Sequence, residues 1–438
     1  MLKATKLTLA VLINAAIISP TFASEQSEAK GFVEDAEGSV LFRNGYVNRD
    51  KKHGNTNDTS SWAQSAIVNI DSGFTQGVVG FGVGVVGDGS FKIGKNNHAG
   101  NNMIPLHNGG AKDANGYVDA YDHWARGGAN VKARFSNTTV RYGTQVLDLP
   151  VLASNTGRMV PEYFEGTLIT SHEIKDLELV AGKFTKDQMS DQISTDADAN
   201  GNGLDRAIVW GAKYKFDDQL SASYYGLDSK NALERHYINA NYKLPLANKS
   251  SLTFDFSGYH TEWDKDAATY SSSIGNSDVE GRKNNIWALS GTYNQGPHSV
   301  MLAYQQNTGN TGYDYGQNAD GFQSIYLPNS YMSDFIGNRE KSAQLQYNLD
   351  ASAYGVPGLN WTSAYVYGWN IHTGAETNAK EREFFNQVKY TMQSGFAKDA
   401  SLRVRYSHYR ASDAYQSNAY IGDTNEWRLF LDIPVKFF

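Results

Sequence analysis

Arg403 and Arg405 stand two residues apart, alternating with Leu402, Val404 and Tyr406. Further on, Trp427, Leu429, Leu431, Ile433, Val435 and Phe437 alternate with Glu426, Arg428, Phe430 and Asp432. A period of two puts the bases on one face of a strand and the apolar residues on the other. Arginine offers a carboxylate a planar fork of donors and never loses its charge. The chemistry on offer is therefore the binding of carboxylates. Arg43, Arg49 and Lys389 join the set if the chain brings their strands together, with Arg410 at the loop end of the Arg403 strand.

A strand with lipid-like residues on one face and arginine on the other fits neither a soluble core nor a helix. It fits the wall of a transmembrane β-barrel around a charged, aqueous lumen. About eighteen segments are long enough for the 9–11 residues of a tilted spanning strand. In one of them Val79, Phe81, Val83 and Val85 alternate with glycines, and in others Ile208 to Phe216, Leu252 to Phe256 and Val300 to Tyr304 follow the same rule. Short turns lie at Ser136-Asn137, Lys175-Asp176, Asp217-Asp218 and Gln295-Gly296-Pro297; long polar loops lie at about 89–125, 149–162, 185–204, 263–283, 307–339 and 411–423. If the first strand, about 38–49, starts at the periplasm, every short turn is periplasmic and every long loop extracellular. The expected fold is all-β: a transmembrane antiparallel β-barrel forming one domain over 24–438, since any split would leave bare edges. Closure would make strands 16, 17, 18 and 1 consecutive neighbours. Their candidate lumen bases are Lys389, Arg403, Arg405, Arg428, Arg43 and Arg49, although Glu426, Asp432 and Glu383 could neutralise them and leave only a braced wall.

The 438-residue chain has no cysteine, 42 glycines, 27 tyrosines and a net charge of -7. Beyond the N-terminus no run of about 18 apolar residues exists, which excludes a bundle of membrane helices. An acidic balance argues against nucleic acid as a partner. Residues 1–23 read as a secretory signal: Lys3 and Lys6, an apolar run from Leu7 to Ile18, then Thr21-Phe22-Ala23 before a mature start at Ser24. These features place the chain in the Gram-negative outer membrane. Tyr224, Tyr225, Trp361, Tyr365, Tyr367, Trp369, Tyr406, Tyr409 and Trp427 suit aromatic girdles at strand ends. Phe438 ends the chain with an aromatic of the kind that barrel-assembly machinery reads.

Several segments resemble the OprD family of outer-membrane carboxylate channels, the substrate-specific porins. They are Arg141-Tyr-Gly-Thr-Gln145 with Pro150 and Arg158-Met-Val-Pro161, then Tyr214-Lys-Phe-Asp-Asp218, Ser333-Asp-Phe335 and Glu340-Lys-Ser342. Gly355-Val-Pro-Gly-Leu359, the run from Gly395 to Arg405 and Asn425-Glu-Trp-Arg428 complete them. The resemblance implies an 18-stranded barrel, monomeric or weakly trimeric, with two loops folded inward and a basic ladder along one wall. The loop at 144–165, with its two prolines, Asp148 and Arg158, suits the constriction better than the Asn/Gly-rich 95–116, which reads as a mobile surface loop. By resemblance, 307–339 supplies the opposing face, with Tyr331 and Asp334 as contacts for a substrate's other end. The expected function is passive diffusion of small carboxylate-bearing solutes such as amino acids. The expected surroundings are outer-membrane lipid and lipopolysaccharide.

Other sites are weaker. Asp196, Asp198 and Asn200 are spaced like the front of a calcium loop, but Ala207 stands where a bidentate glutamate is required. A surface loop of turn formers is the reading there, with a weak external Ca²⁺ site as the alternative. The ten histidines lack metal-ligand spacing, and no cofactor is expected. A barrel enzyme would need a catalytic couple; Asp122 and His123 are adjacent, so alternation points them apart. A general, non-selective porin shares the fold and lacks the one-sided basic wall.

Overall fold

The computed structural model describes residues 24–52, 57–94, 101–107, 111, 118–195, 204–265, 267, 282–316, 324–373, 375–416 and 422–438. The expected signal segment and the 196–200 loop lie outside the described residues. Twenty strands follow one another: β1 (Glu37–Lys51), β2 (Thr59–Asp71), β3 (Val79–Lys92), β4 (His123–Phe135), β5 (Thr138–Gln145), β6 (Asp148–Leu149), β7 (Leu152–Ala153), β8 (Tyr163–Ile174), β9 (Leu177–Gln188) and β10 (Ala207–Lys215). Then come β11 (Leu220–Ser229), β12 (Leu233–Pro245), β13 (Ser251–Trp263), β14 (Lys283–Gln295), β15 (His298–Gly309), β16 (Lys341–Asp350), β17 (Leu359–Ile371), β18 (Ala379–Thr391), β19 (Ser401–Ala411) and β20 (Thr424–Lys436). All but β6 and β7 form one 18-stranded sheet, antiparallel between sequence neighbours. The small β6–β7 hairpin lies in the third extracellular loop.

β20 pairs with β1 from Ser39↔Lys436 to Lys51↔Thr424, so the sheet has no free edge. Hydrocarbon requires this, because an unsatisfied backbone group there costs several kcal/mol. Phe438 finishes the seam: its carbonyl accepts from Gly38 N (3.3 Å), and Phe437 N donates to Gly38 O (2.8 Å). Tight turns at 136–137, 175–176 and 296–297 fall on the end where β1 begins, and the longest connections fall on the other. The alternation also holds. On β3, Val79, Phe81, Val83 and Val85 are exposed on the outer wall while Gly80, Gly82 and Gly84 are buried.

Three features differ from the sequence-based expectation. Strands run further into the loops than period two suggested, since β3 continues to Lys92 before the second long loop. Part of that loop is tucked in: Met103 and Ile104 are fully buried, because two apolar side chains among asparagines still gain by leaving water. Tyr225 and Tyr409, read as girdle residues, sit on the buried inner face, one residue out of phase with Tyr224 and His408 on the outer one.

The two faces predict opposite responses to the same change. Leu302 is exposed on the outer wall of β15, and Met301 beside it faces inward opposite Gln346. Leu302→Arg should cost about 2–4 kcal/mol, the depth-dependent cost of arginine in lipid, and Met301→Arg far less. Urea unfolding midpoints in lipid vesicles check this; equal losses would mean the facing is wrong.

Candidate functional site

The seam between β19, β20 and β1 sets the bases in rungs. Arg405 lies directly opposite Arg428, and Arg403 lies between Lys389 on β18 and Phe430 on β20. One rung up, Glu426 lies opposite Arg49; one rung down, Asp432 lies opposite Arg43. Successive rungs on one strand are two residues apart, about 7 Å. All six bases project into the lumen, Arg43 and Arg49 included, because both occupy odd positions of β1.

Their partners divide them. Arg43 grips Asp432 with two donors, Nε to Oδ1 (2.7 Å) and Nη2 to Oδ2 (3.0 Å). Glu426 accepts from Arg49 Nε (2.7 Å) and from Arg428 Nε and Nη2 (3.0 and 2.6 Å). These three brace the wall. Lys389, Arg403 and Arg405 form no ion pair among the described residues. Arg403 instead lies over the Phe430 ring and Arg405 over the Phe385 ring, 5.1 and 5.0 Å from the centroids. An aromatic face attracts a guanidinium without neutralising its charge. Three positive charges without a direct ion-pair partner among the described residues thus stand on one wall.

Arg410 does not belong to the ladder. It falls on the outer face with Tyr406 and His408, one residue out of phase with Arg405, and donates to Tyr409 O and Thr424 O (2.6 and 3.3 Å). Its place near the mouth suggested a lumen role, but strand parity overrides proximity.

Two loops cross in front of the wall. The 146–162 loop is driven inward by its own apolar run: Leu147, Leu149, Val151 and Leu152 bury against Phe164, Phe184, Tyr237 and Tyr259 on the far wall. At its other end, Met159 and Val160 pack with Val47, Trp124 and Phe430. There the ladder holds the loop's backbone, with Arg43 Nη1 donating to Arg158 O (2.8 Å) and Arg428 Nη1 to Gly157 O (3.4 Å). Arg158 itself is buried. The loop therefore reaches from β13 to β1 and β20, nearly opposite positions in an 18-strand ring.

The 310–340 loop docks beside it. Gln305 donates to the carbonyls of Asp334 and Phe335 (both 2.9 Å), and Asn307 to those of Ile336 and Gly337 (2.7 and 2.8 Å). Glu383 accepts from the backbone N–H of Met332 and Ser333 (3.1 and 3.0 Å) and forms no direct ion pair with Arg405. Tyr331 stacks on Phe385 with centroids 4.2 Å apart, and its hydroxyl bonds Gln346 and Gln344. It sits on the same ring as Arg405, at the ladder side of the lumen. The two loops join where Tyr326 Oη bonds the exposed Asp148 and where Tyr259 Oη donates to Pro150 O (3.0 Å) while accepting from Tyr326 N (3.0 Å).

Asp334 departs from the expectation. It is buried and accepts from the Tyr315 and Ser330 hydroxyls, so it braces its own loop and presents no acid to the lumen. Asp148 is the acid exposed at the constriction.

Alternation applied to β4 and β5 would have found further lumen bases. Arg126 is buried, pairs with Asp88 (2.9 Å) and donates to Met189 O and Pro161 O (2.7 and 2.6 Å), pinning two loops. Nearer the periplasm, Lys132 and Arg141 share Asp71 (2.8 and 3.1 Å), while Lys132 and Arg134 lie over the Phe74 ring.

Comparison with known proteins agrees with this architecture. Residues 30–437 match the family model described as outer membrane porin, OprD family. Porin D of Pseudomonas aeruginosa is 35% identical, with 96% of this chain and 95% of that protein aligned. The crystal structure of Acinetobacter baumannii OccAB1 is 74% identical, covers 95% of this chain and 100% of its own, and superposes with a TM-score of 0.88. That of Pseudomonas aeruginosa OpdK with vanillate is 25% identical, covers 93% and 100%, and superposes with a TM-score of 0.80. The chain belongs to the OprD family of outer membrane porins, which places it in the outer membrane of Gram-negative bacteria.

A carboxyl pair secures the 310–340 loop. Gly337 N donates to Glu340 Oε2 and Ser333 Oγ to Glu381 Oε2, both at 2.7 Å, and the two buried carboxyls interact with each other. Burial first, and then the nearby Glu381, push the Glu340 carboxyl well above its ordinary range. Its folded-state value exceeds its unfolded one, so its contribution is complete at acid pH and is lost as pH rises through the raised value. Glu340→Gln supplies a permanent donor to Glu381 and should flatten that dependence. Thermal unfolding of both forms in detergent, from mildly acid to alkaline pH, checks this; parallel pH profiles would refute it.

Proposed function

We propose that this porin passes small carboxylate-bearing solutes by passive diffusion, drawn along the bases Lys389, Arg403 and Arg405. The absence of an acid partner for these three among the described residues carries the reading, because a wall whose only role was bracing would neutralise them. Conduction requires binding that is favourable yet weak and repeated. Rungs about 7 Å apart let one carboxylate pass between neighbouring guanidinium groups without full desolvation. The joined loops sieve by size. Asp148, exposed at their junction, can meet the ammonium end of an amino acid whose carboxylate lies on the ladder. The relative crystallised with vanillate, an aromatic carboxylate, supports the substrate class. The reading assigns no catalytic step, cofactor or energy source. We also assign residues 1–23 to a cleaved signal, Phe438 to recognition by barrel-assembly machinery, and the solution state to a monomer or weak trimer.

The test is conductance and solute uptake. Arg403→Ser with Arg405→Ser should shift ion preference from anions toward cations in reconstituted bilayers and lower amino-acid carboxylate flux about tenfold or more, as loss of one to two charge-assisted contacts of ~1.5 kcal/mol each implies. Uptake of an uncharged sugar should stay the same. Unchanged selectivity and carboxylate flux would sink the proposal. Arg43→Ser, which removes a base already paired with Asp432, should act mainly through loop order.

A further inference from the structure

The outer face of the extracellular rim is not uniform. From β8 round to β14 most of its cations, Lys183 excepted, are matched by acids: Lys186 with Glu165 (3.0 Å), Arg206 with Asp228 (2.9 Å) and Lys283 with Glu262 (3.1 Å). Lys230 pairs with Asp205 (2.8 Å) on the same rim. Across β16 to β19 the pattern breaks. Lys341, Lys380 and Arg382 project outward and form no ion pair among the described residues.

Register brings them together. Arg382 lies directly opposite Arg410 on β19 and opposite Tyr367 on β17, while Lys341 lies opposite Trp369. Lys380 is one rung above Arg382, held against β19 by its backbone bonds to Ser412. Like charges directly across a ladder are destabilising, so an anion shared by Arg382 and Arg410 would relieve their repulsion. Asp423, which accepts from Ala411 N (2.8 Å), lies 3.9 Å from Arg410 and forms no ion pair with Arg382 among the described residues. Asp50, the outward acid on β1, is taken by Lys52. One rung below the cations, the face turns apolar with Leu345, Tyr365 and Phe384, all exposed. Tyr367 and Trp369 stack at 6.0 Å between the two zones, as interfacial aromatics do.

We propose that this sector, Lys341, Lys380, Arg382 and Arg410 above Tyr367 and Trp369, is a docking site for one phosphate-bearing lipid of the outer leaflet. Its phosphates bridge Arg382 and Arg410, and its acyl chains lie along Leu345, Tyr365 and Phe384. Charge complementarity, the like-charge pair and the apolar runway below point to this occupant. A free anion would have no use for the runway. The lumen ladder is on the opposite face of the same strands, so the two functions are separable.

The probe is bisphosphorylated lipid A, titrated against dephosphorylated lipid A into the detergent-solubilised full chain. A membrane-surface cation contributes about fivefold in affinity, so Lys341→Gln with Arg382→Gln should weaken binding of the phosphorylated lipid about thirtyfold. The double change Lys230→Gln with Lys283→Gln, which removes two matched cations, should leave it unaltered, and bilayer conductance should match wild type in both. Gel mobility before and after heating reports folding; Lys341→Gln alone, at the first residue of β16, provides the fallback at about fivefold. Wild-type affinity in the Lys341/Arg382 variant would overturn the proposal. So would equal affinity for the two lipid A forms, or displacement of the lipid by inorganic phosphate at matching concentrations, which would mark an anion site without lipid.

Discussion

The β1–β20 pairing closes the sheet, and the rest of the molecule depends on that closure. Inside hydrocarbon, an open edge would expose a row of N–H and C=O groups with nothing to bond. Once the edge is gone, the pleat assigns every residue of every strand to one of two solvents. The same seam sets Arg43 against Asp432 and Arg49 against Glu426 from opposite ends of the chain. Stability and site therefore come from one event: without the seam, the ladder would have neither its braces nor its rungs.

The lumen is a second core as much as a conduit. Leu149, Leu152, Met159 and Val160 are buried within the barrel, and each large apolar side chain removed from water contributes roughly 1.5–3 kcal/mol. Those gains offset part of the ordering entropy of a loop that could otherwise extend into solvent. Buried Arg126 would be costly alone, but Asp88 and two loop carbonyls take its donors. The close approach shows at Gly45, where an added Cβ would come within 2.3 Å of Met159 Sδ and 2.8 Å of Phe430. Any larger residue there would push Met159 or Phe430 aside.

Strand parity was legible in the sequence because the period of two is strict: Trp427 to Phe437 already showed which face met lipid. Arg403, Arg405 and Arg428 followed from it. Arg410 did not, because its even position on β19 turns it to the outer face although it lies near a loop. The division of the ladder into paired and unpaired bases was not legible, since alternation says which residues share a face and nothing of which side chains meet. The inward loop was expected from Pro150 and Pro161, yet the run of Leu147, Leu149, Val151 and Leu152 is what holds it. Asp334 was hidden for a related reason: its partner Tyr315 lies 19 residues away with no periodic relation to it.

Glu383 links the two inward features of the site. It is a buried lumen acid opposite Tyr409, two rungs toward the extracellular end from the Arg405 rung. It is occupied by the N–H groups of Met332 and Ser333, while Arg405 turns onto Phe385 and Tyr331 covers that ring. Two backbone donors satisfy acceptor sites on the carboxylate without removing its charge, and a cation over an aromatic face keeps its charge for a passing anion. The 310–340 loop and the guanidinium thus meet on one aromatic ring, Phe385, which Tyr331 covers from the loop and Arg405 from the wall.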